Sequence, residues 1–218
     1  MAEFIGGIFS AIFGKHSIIA TIIISMFPII ELKGAIPIGM SVDYWGEYAL
    51  NNTQAFLYSL LGSCLVVPII ALVFTPILNF LKKTKVFKKI GTFIEEKVTK
   101  HSKDIDEKTN KNGKNKTLVK CLLIFAFVAV PLPLTGVWTG TCVAVIIGLK
   151  YWQTIISVVL GNVVAGLIIT LVCTVFPQIT TILSIIFLAV VLVMVIFLIV
   201  KFILHSRKKE TITQEKNN

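Results

Sequence analysis

Residues 17–40 read SIIATIIISMFPIIELKGAIPIGM. The stretch is apolar enough for a bilayer, but Pro28, Glu31, Lys33, Gly34 and Pro37 interrupt it. Its arms, 17–30 and 34–40, are each shorter than the roughly 20 residues a spanning helix needs. Proline removes a backbone donor and glycine loosens the chain, so a continuous helix through the break is not expected. Broken backbone at membrane depth survives only where protein or a water-filled cavity surrounds it. The stretch therefore reads as a re-entrant hairpin with two charges at its turn. Residues 117–149 have the same design, interrupted by Pro131, Pro133 and Gly136.

The rest of the chain agrees with a membrane setting. Of its 218 residues, 56% are hydrophobic and 15% charged, with a mean hydropathy of +0.88. A soluble domain has about 45–50% apolar and about 25% charged residues. This composition excludes a disulfide scaffold, a disordered tail and an ordinary cytosolic enzyme. Three uninterrupted apolar stretches, 54–81, 152–176 and 178–200, predict transmembrane helices, the first kinked at Pro68 and Pro76. Cys64, Cys121, Cys142 and Cys173 lie in apolar runs without metal-ligand spacing and read as reduced thiols. The N-terminus lacks the basic region and cleavage site of a signal peptide.

The net charge of +10 follows the predicted spans rather than any nucleic-acid motif. Residues 82–120 hold 13 of the 21 basic residues against five acids, and residues 201–218 hold five against two. Both segments are expected on the cytoplasmic side. The helices at 152–176 and 178–200 already supply two crossings between them, so 117–149 must enter and leave on one side. Residues 41–53 carry Asp43 and Glu47 without a basic residue and are expected outside. The side of the N-terminus stays open.

The two halves resemble each other. Phe27-Pro28, Gly34 and Gly39 echo Val130-Pro131, Gly136 and Gly140. Tyr44-Trp45 precedes one long helix and Tyr151-Trp152 the other. Gly62-Ser63 matches Gly161-Asn162. The expected fold class is an all-α integral membrane protein, an inverted repeat of re-entrant hairpin plus transmembrane helix with an extra C-terminal helix. One membrane domain would comprise an interfacial helix (1–16), a first repeat (17–81), a basic cytoplasmic segment (82–117), a second repeat (118–176), a C-terminal transmembrane helix (178–204) and a cytoplasmic tail (205–218). Phe4, Ile5, Ile8, Phe9, Ile12 and Phe13 suit an interfacial helix. Val86, Phe87, Ile90, Phe93 and Ile94 form an apolar stripe among lysines, suited to anionic lipid headgroups. Residues 102–116 read as a polar linking loop.

Ionisable residues inside a membrane segment are functional candidates. Glu31 could carry a proton during transport, and Lys33 could neutralise it or attract an anion. Set in an extended turn, the two could flank one cavity; the bland alternative is that they cap a short hairpin. Half-helices starting after Lys33-Gly34 and near Thr135 or Gly136 would aim positive dipole ends at a shared cavity, suited to a carboxylate or phosphate. The candidate pathway residues are Glu31, Lys33, Gly34, Pro37, Pro131, Pro133, Thr135, Gly136, Trp138, Thr139 and Asn162. Trp138 could instead anchor at the interface, and Asn162 could hydrogen-bond across helices. Enzyme chemistry has no support: His16, His101 and His205 lie at span ends or in loops, and no paired histidine or serine–base motif is present. No metal or other cofactor is expected.

The stretch from Glu31 to Gly39 (ELKGAIPIG) resembles the first signature of the putative small multidrug export family of bacterial membrane proteins. The stretch from Pro131 to Gly140 (PLPLTGVWTG) resembles its second, with Leu134 where the family has glycine and Lys33 where arginine is common. The layout also looks like the DedA superfamily. The first resemblance implies drug efflux. The second implies proton coupling and a lipid-phosphate substrate, with Glu31, Lys33, Thr135 and Trp138 along the path. The expectation is a small secondary transporter of the cytoplasmic membrane. The alternatives are a lipid flippase and a non-transporting assembly subunit. Expected partners are membrane lipids, a small-molecule or lipid-phosphate substrate and a second copy of the chain, with no nucleic acid.

Overall fold

The structure is a computed structural model that describes residues 11–81, 113–132 and 135–190, together with 193, 200 and 201. Among the described residues it is all-helical, without strands. The principal helices are α1 (Ser17–Met26), α2 (Glu31–Met40), α3 (Val42–Trp45), α4 (Asn52–Leu81), α5 (Gly113–Ala129), α6 (Val137–Ile146), α7 (Tyr151–Val175) and α8 (Pro177–Val190). Helices α4 and α7 are long and apolar enough to cross a membrane. Leu57, Leu61, Leu65 and Ile69 run along one exposed face of α4, and Ile156, Leu160, Leu167 and Leu171 lie exposed on α7. Apolar faces of this extent are a liability in water and are solvated by lipid in a bilayer. The protein is a membrane protein.

Helices α1 and α2 fold back on each other across residues 27–30. At their far end the Ser17 hydroxyl donates to the Tyr48 carbonyl (2.5 Å), and the Leu50 N–H donates to the Gly39 carbonyl (2.9 Å). The outer ends of the two helices thus lie side by side. The turn lies earlier than the sequence suggested. Gly34 and Pro37 do not end the helix; both lie inside α2, which starts at Glu31. Pro37 costs α2 one hydrogen bond but does not stop so short a helix. Reversal is achieved instead by left-handed backbone at Ile29 (φ 81°) and Glu31 (φ 47°). Such conformations cost on the order of 1–3 kcal/mol each and persist only where the surroundings enforce them.

Helices α5 and α6 form a second pair around residues 130–136. Lys120 on α5 donates to the Ile147 carbonyl (2.7 Å) at the end of α6, so this pair also closes on itself. A cation is stabilising there because the last carbonyls of a helix carry partial negative charge. Helix α5 starts at Gly113, so residues 113–116, read from their polarity as part of the linking loop, belong to the helix.

Helices α4 and α7 run antiparallel. Asn52 bonds Thr174 (2.8 Å), and Ser63 bonds Asn162 (2.7 Å). Each carries a glycine where a short arm crosses it. A side chain at Gly62 would collide with the Ile22 carbonyl and Ser25; one at Gly161 would come within 2.6 Å of the Phe125 carbonyl. Small residues let helix backbones approach closely in membranes. The helix pair α1–α2 therefore packs near the start of α4, and the pair α5–α6 near the start of α7. Helix α8 lies along the first pair, with the Phe187 ring against Gly34 and Thr181 donating to Asp43 (3.1 Å).

Two other expectations need correction or bounding. The Tyr–Trp pairs are not equivalent: Tyr44 and Trp45 are buried in α3, whereas Trp152 is exposed in the first turn of α7. Trp45 is buried because its indole N–H reaches the Ile38 carbonyl (2.9 Å) inside the first pair. Of the span expected at 178–200, α8 accounts for the part to Val190. Most of 1–13, the stripe at 86–94, residues 102–112 of the expected loop and the tail from 205 lie outside the described residues.

Candidate functional site

The first turn of α2 and the turn between α5 and α6 interlock. Glu31 is 4% exposed and Lys33 1%, so both charges are inside protein and need partners there. They were expected to flank one cavity from an extended turn. On a helix, residues two apart point to different sides, and here they reach different parts of the opposing turn.

The Glu31 carboxylate accepts a hydrogen bond from the Trp138 backbone N–H (3.0 Å). Trp138 lies in the first turn of α6, whose leading N–H groups have no partner within the helix. The residue before α6 is Gly136, which offers no capping side chain. Glu31 therefore supplies the cap from another part of the chain, placing negative charge at the positive end of the helix dipole. Gly136 is required for this approach, since a Cβ on it would fall on the Glu31 carboxylate itself.

Lys33 serves the other side of the break. Its ammonium donates to the carbonyls of Val130 (3.2 Å) and Leu132 (3.2 Å) and to the Thr135 hydroxyl (3.0 Å). These groups follow the end of α5, where carbonyls lack helical partners. The Thr135 hydroxyl also lies 2.8 Å from the Val130 carbonyl and 2.9 Å from that of Leu132, closing a small ring of oxygens. In the reverse direction the Trp138 indole N–H donates to the carbonyl of Met26 (3.0 Å), the last residue of α1. The Val130 carbonyl also accepts from the Leu132 N–H (2.9 Å) and that of Leu132 from the Thr135 N–H (3.4 Å), so Lys33 adds a further, charged donor to carbonyls that the second turn already bonds.

The structure thus brings Glu31, Lys33, Thr135, Gly136 and Trp138 together. Gly34 and Pro37 are buried within α2, Gly34 against Phe187 and Ile30. Pro131 is half-buried in the second turn, and Pro133 lies outside the described residues. Thr139 reaches back toward the Gly136 carbonyl at 3.4 Å. Asn162 sits apart, joining α7 to α4 through Ser63, and its side-chain amide oxygen has no hydrogen-bond partner among the described residues. Asn162→Ala is expected to lower stability by only about 0.6 kcal/mol, the typical worth of a hydrogen bond between membrane helices. Denaturant unfolding in mixed micelles would measure this, and a loss several times larger would give Asn162 a weightier role.

Side-chain reading could not find the carbonyls of Met26, Val130 and Leu132. Any residue presents a carbonyl, and only the broken helix ends indicate that some would be free. Phe187 against Gly34 was equally hidden, because an apolar residue in an apolar run carries no positional signal. No cluster of three or more His, Cys, Asp or Glu able to hold a metal is present among the described residues.

Neither a curated protein nor a solved structure matches the chain. A family profile described as "Putative small multi-drug export protein" matches residues 31–168, from Glu31 through both interlocked turns and into α7. That match covers more than half of the sequence, and the chain belongs to the putative small multi-drug export protein family.

Proposed function

We propose that the protein is a small proton-coupled secondary transporter of the bacterial cytoplasmic membrane, which moves a small amphiphilic or anionic substrate between two re-entrant hairpins. The observation that carries this reading is the buried Glu31 carboxylate held on the first turn of α6, inside a family associated with export. An acid in that position binds the α6 end while charged. Protonation cancels its charge and weakens the grip, so proton uptake is tied to release of the interlock. Burial of an ionisable side chain within a membrane protein is a recurrent mark of such relays.

The arrangement of the helices supports the inverted-repeat part of the proposal. Each short pair closes on its own entry side, through Ser17 with Tyr48 and through Lys120 with Ile147. The pairs pack near opposite ends of the antiparallel α4 and α7, and their tips meet. Discontinuous helices at the junction of inverted halves are the design by which many secondary transporters expose one site alternately to two sides. The basic charge of 82–120 and 201–218 supports a cytoplasmic connecting loop and C-terminus by the positive-inside rule.

One observation favours a second reading. The N-terminus of α6 already binds a carboxylate, and a lipid phosphate could take the place of Glu31 there. That would make the chain a flippase of the DedA type.

Purified protein in liposomes, offered drug, lipid-phosphate and ion candidates in parallel, tests both readings. Substrate movement is expected to follow an imposed pH gradient and to stop when a protonophore collapses it. Lipid-phosphate exchange that ignores the gradient would favour the flippase. No movement above protein-free liposomes for any candidate would overturn transport.

A further inference from the structure

We propose that the carbonyl oxygens of Val130 and Leu132 and the hydroxyl of Thr135 form a binding site for a primary ammonium group, which Lys33 occupies in the resting protein and for which a transported amine competes. The geometry is that of a ligand site already filled. A lysine ammonium has three N–H donors and no acceptor. Three oxygens meet it here at 3.0–3.2 Å, one for each donor. The ammonium arrives from a residue about one hundred positions away in sequence, so the oxygens are not arranged by its own backbone. Thr135 is held in place by its contacts to the same two carbonyls.

Two features make this more than a structural cap. The oxygens belong to an interrupted stretch between two helices, the kind of backbone that coordinates transported or coupling cations in membrane proteins. The occupant also sits next to the acid whose release opens the interlock in the transport reading. When Glu31 lets go of α6, the α2 turn that also carries Lys33 is free to move, and the lone pairs that Lys33 held on these oxygens, beside their local N–H bonds, open to another cation or water. A soluble amine with three N–H donors meets the same requirement. A quaternary ammonium, which has no N–H, does not. The substrate class is therefore an amphiphile with a primary amine head. The competition part rests on the transport reading; the existence of the site does not.

The full-length Lys33→Ala variant in micelles, probed by thermal unfolding, tests the site directly. Methylammonium and ammonium chloride are expected to raise its unfolding temperature in a saturable manner. Tetramethylammonium and sodium chloride at equal ionic strength are expected to leave it unchanged, as all four should leave the wild type. A variant indifferent to methylammonium, or equally responsive to all four salts, overturns the site. Should Lys33→Ala fail to fold, the wild type remains a test. Because hexylamine itself consumes acetic anhydride, Lys33 acetylation is read by mass spectrometry as a ratio to that of the exposed Lys150 in the same sample. Hexylammonium is expected to raise that ratio and hexyltrimethylammonium is not; equal ratios with both amphiphiles overturn the competition. Rescue of the variant in the absence of any measurable transport would leave the site standing and remove the transporter.

Discussion

Gly136→Ala is expected to destabilise the protein by about 3–5 kcal/mol, the usual cost of stripping a buried charge of its partner. The new methyl group would occupy the position of the Glu31 carboxylate. Glu31 cannot simply swing into solvent, because it is 4% exposed and anchored in the strained first turn of α2. The collision therefore removes the hydrogen bond to Trp138 and leaves a desolvated acid beside an uncapped helix end. A double-mutant cycle isolates this cause from general crowding. With Glu31→Ala as background, Gly136→Ala should cost little more, since the methyl then enters vacated space. Reversible unfolding of the four proteins in one detergent gives the coupling energy. Equal costs of Gly136→Ala in both backgrounds would mean that the glycine serves the backbone and not Glu31.

Glu31→Gln separates holding the helix end from carrying a proton. Glutamine has nearly the same volume, and its carbonyl oxygen can still accept from the Trp138 N–H. The fold should persist, with unfolding shifted far less than by Gly136→Ala. What disappears is the change of charge. In liposomes, gradient-driven substrate movement is expected to fall to the level of protein-free vesicles, and the response to external pH should flatten. Gradient-driven movement at the wild-type rate, with unchanged pH response, would exclude Glu31 as the coupling acid. Measuring both variants in the same preparation is informative: Gly136→Ala should lose stability and transport together, and Glu31→Gln transport alone.

These variants depend on contacts that differ in how visible they were beforehand. The interruption of 17–40 and 117–149 is plain from Pro28, Glu31, Pro131, Pro133 and Gly136, because few residues other than proline, glycine and charge break an apolar run. The position of the first turn is not. Gly34 and Pro37 read as breakers, yet the turn is at 27–30. Proline removes only one helical hydrogen bond, and the burial of α2 on all sides outweighs that loss. The Tyr–Trp echo fails for a similar reason. A shared dipeptide says nothing about whether its rings find a carbonyl, as Trp45 does at Ile38, or face outward, as Trp152 does.

Gly62-Ser63 and Gly161-Asn162 are an instructive intermediate case. Their similarity was readable as a repeat, and small residues in spans imply close packing. That Ser63 and Asn162 bond each other, and that the glycines face Ile22 and Phe125, depends on how the halves meet.

From its residues alone, the chain reads as a helical membrane protein with three apolar spans, two interrupted arms and an acid and a base at one interruption; the structure shows two of the three, α4 and α7, as helices long and apolar enough to cross a membrane. Those properties follow from hydropathy, chain length and backbone chemistry, which act locally. Only tertiary structure decided that Glu31 caps α6, that Lys33 fills the oxygens beyond α5 and that Trp138 returns the favour at Met26. Such pairings join residues about one hundred positions apart through backbone groups common to every amino acid, so no local pattern encodes them.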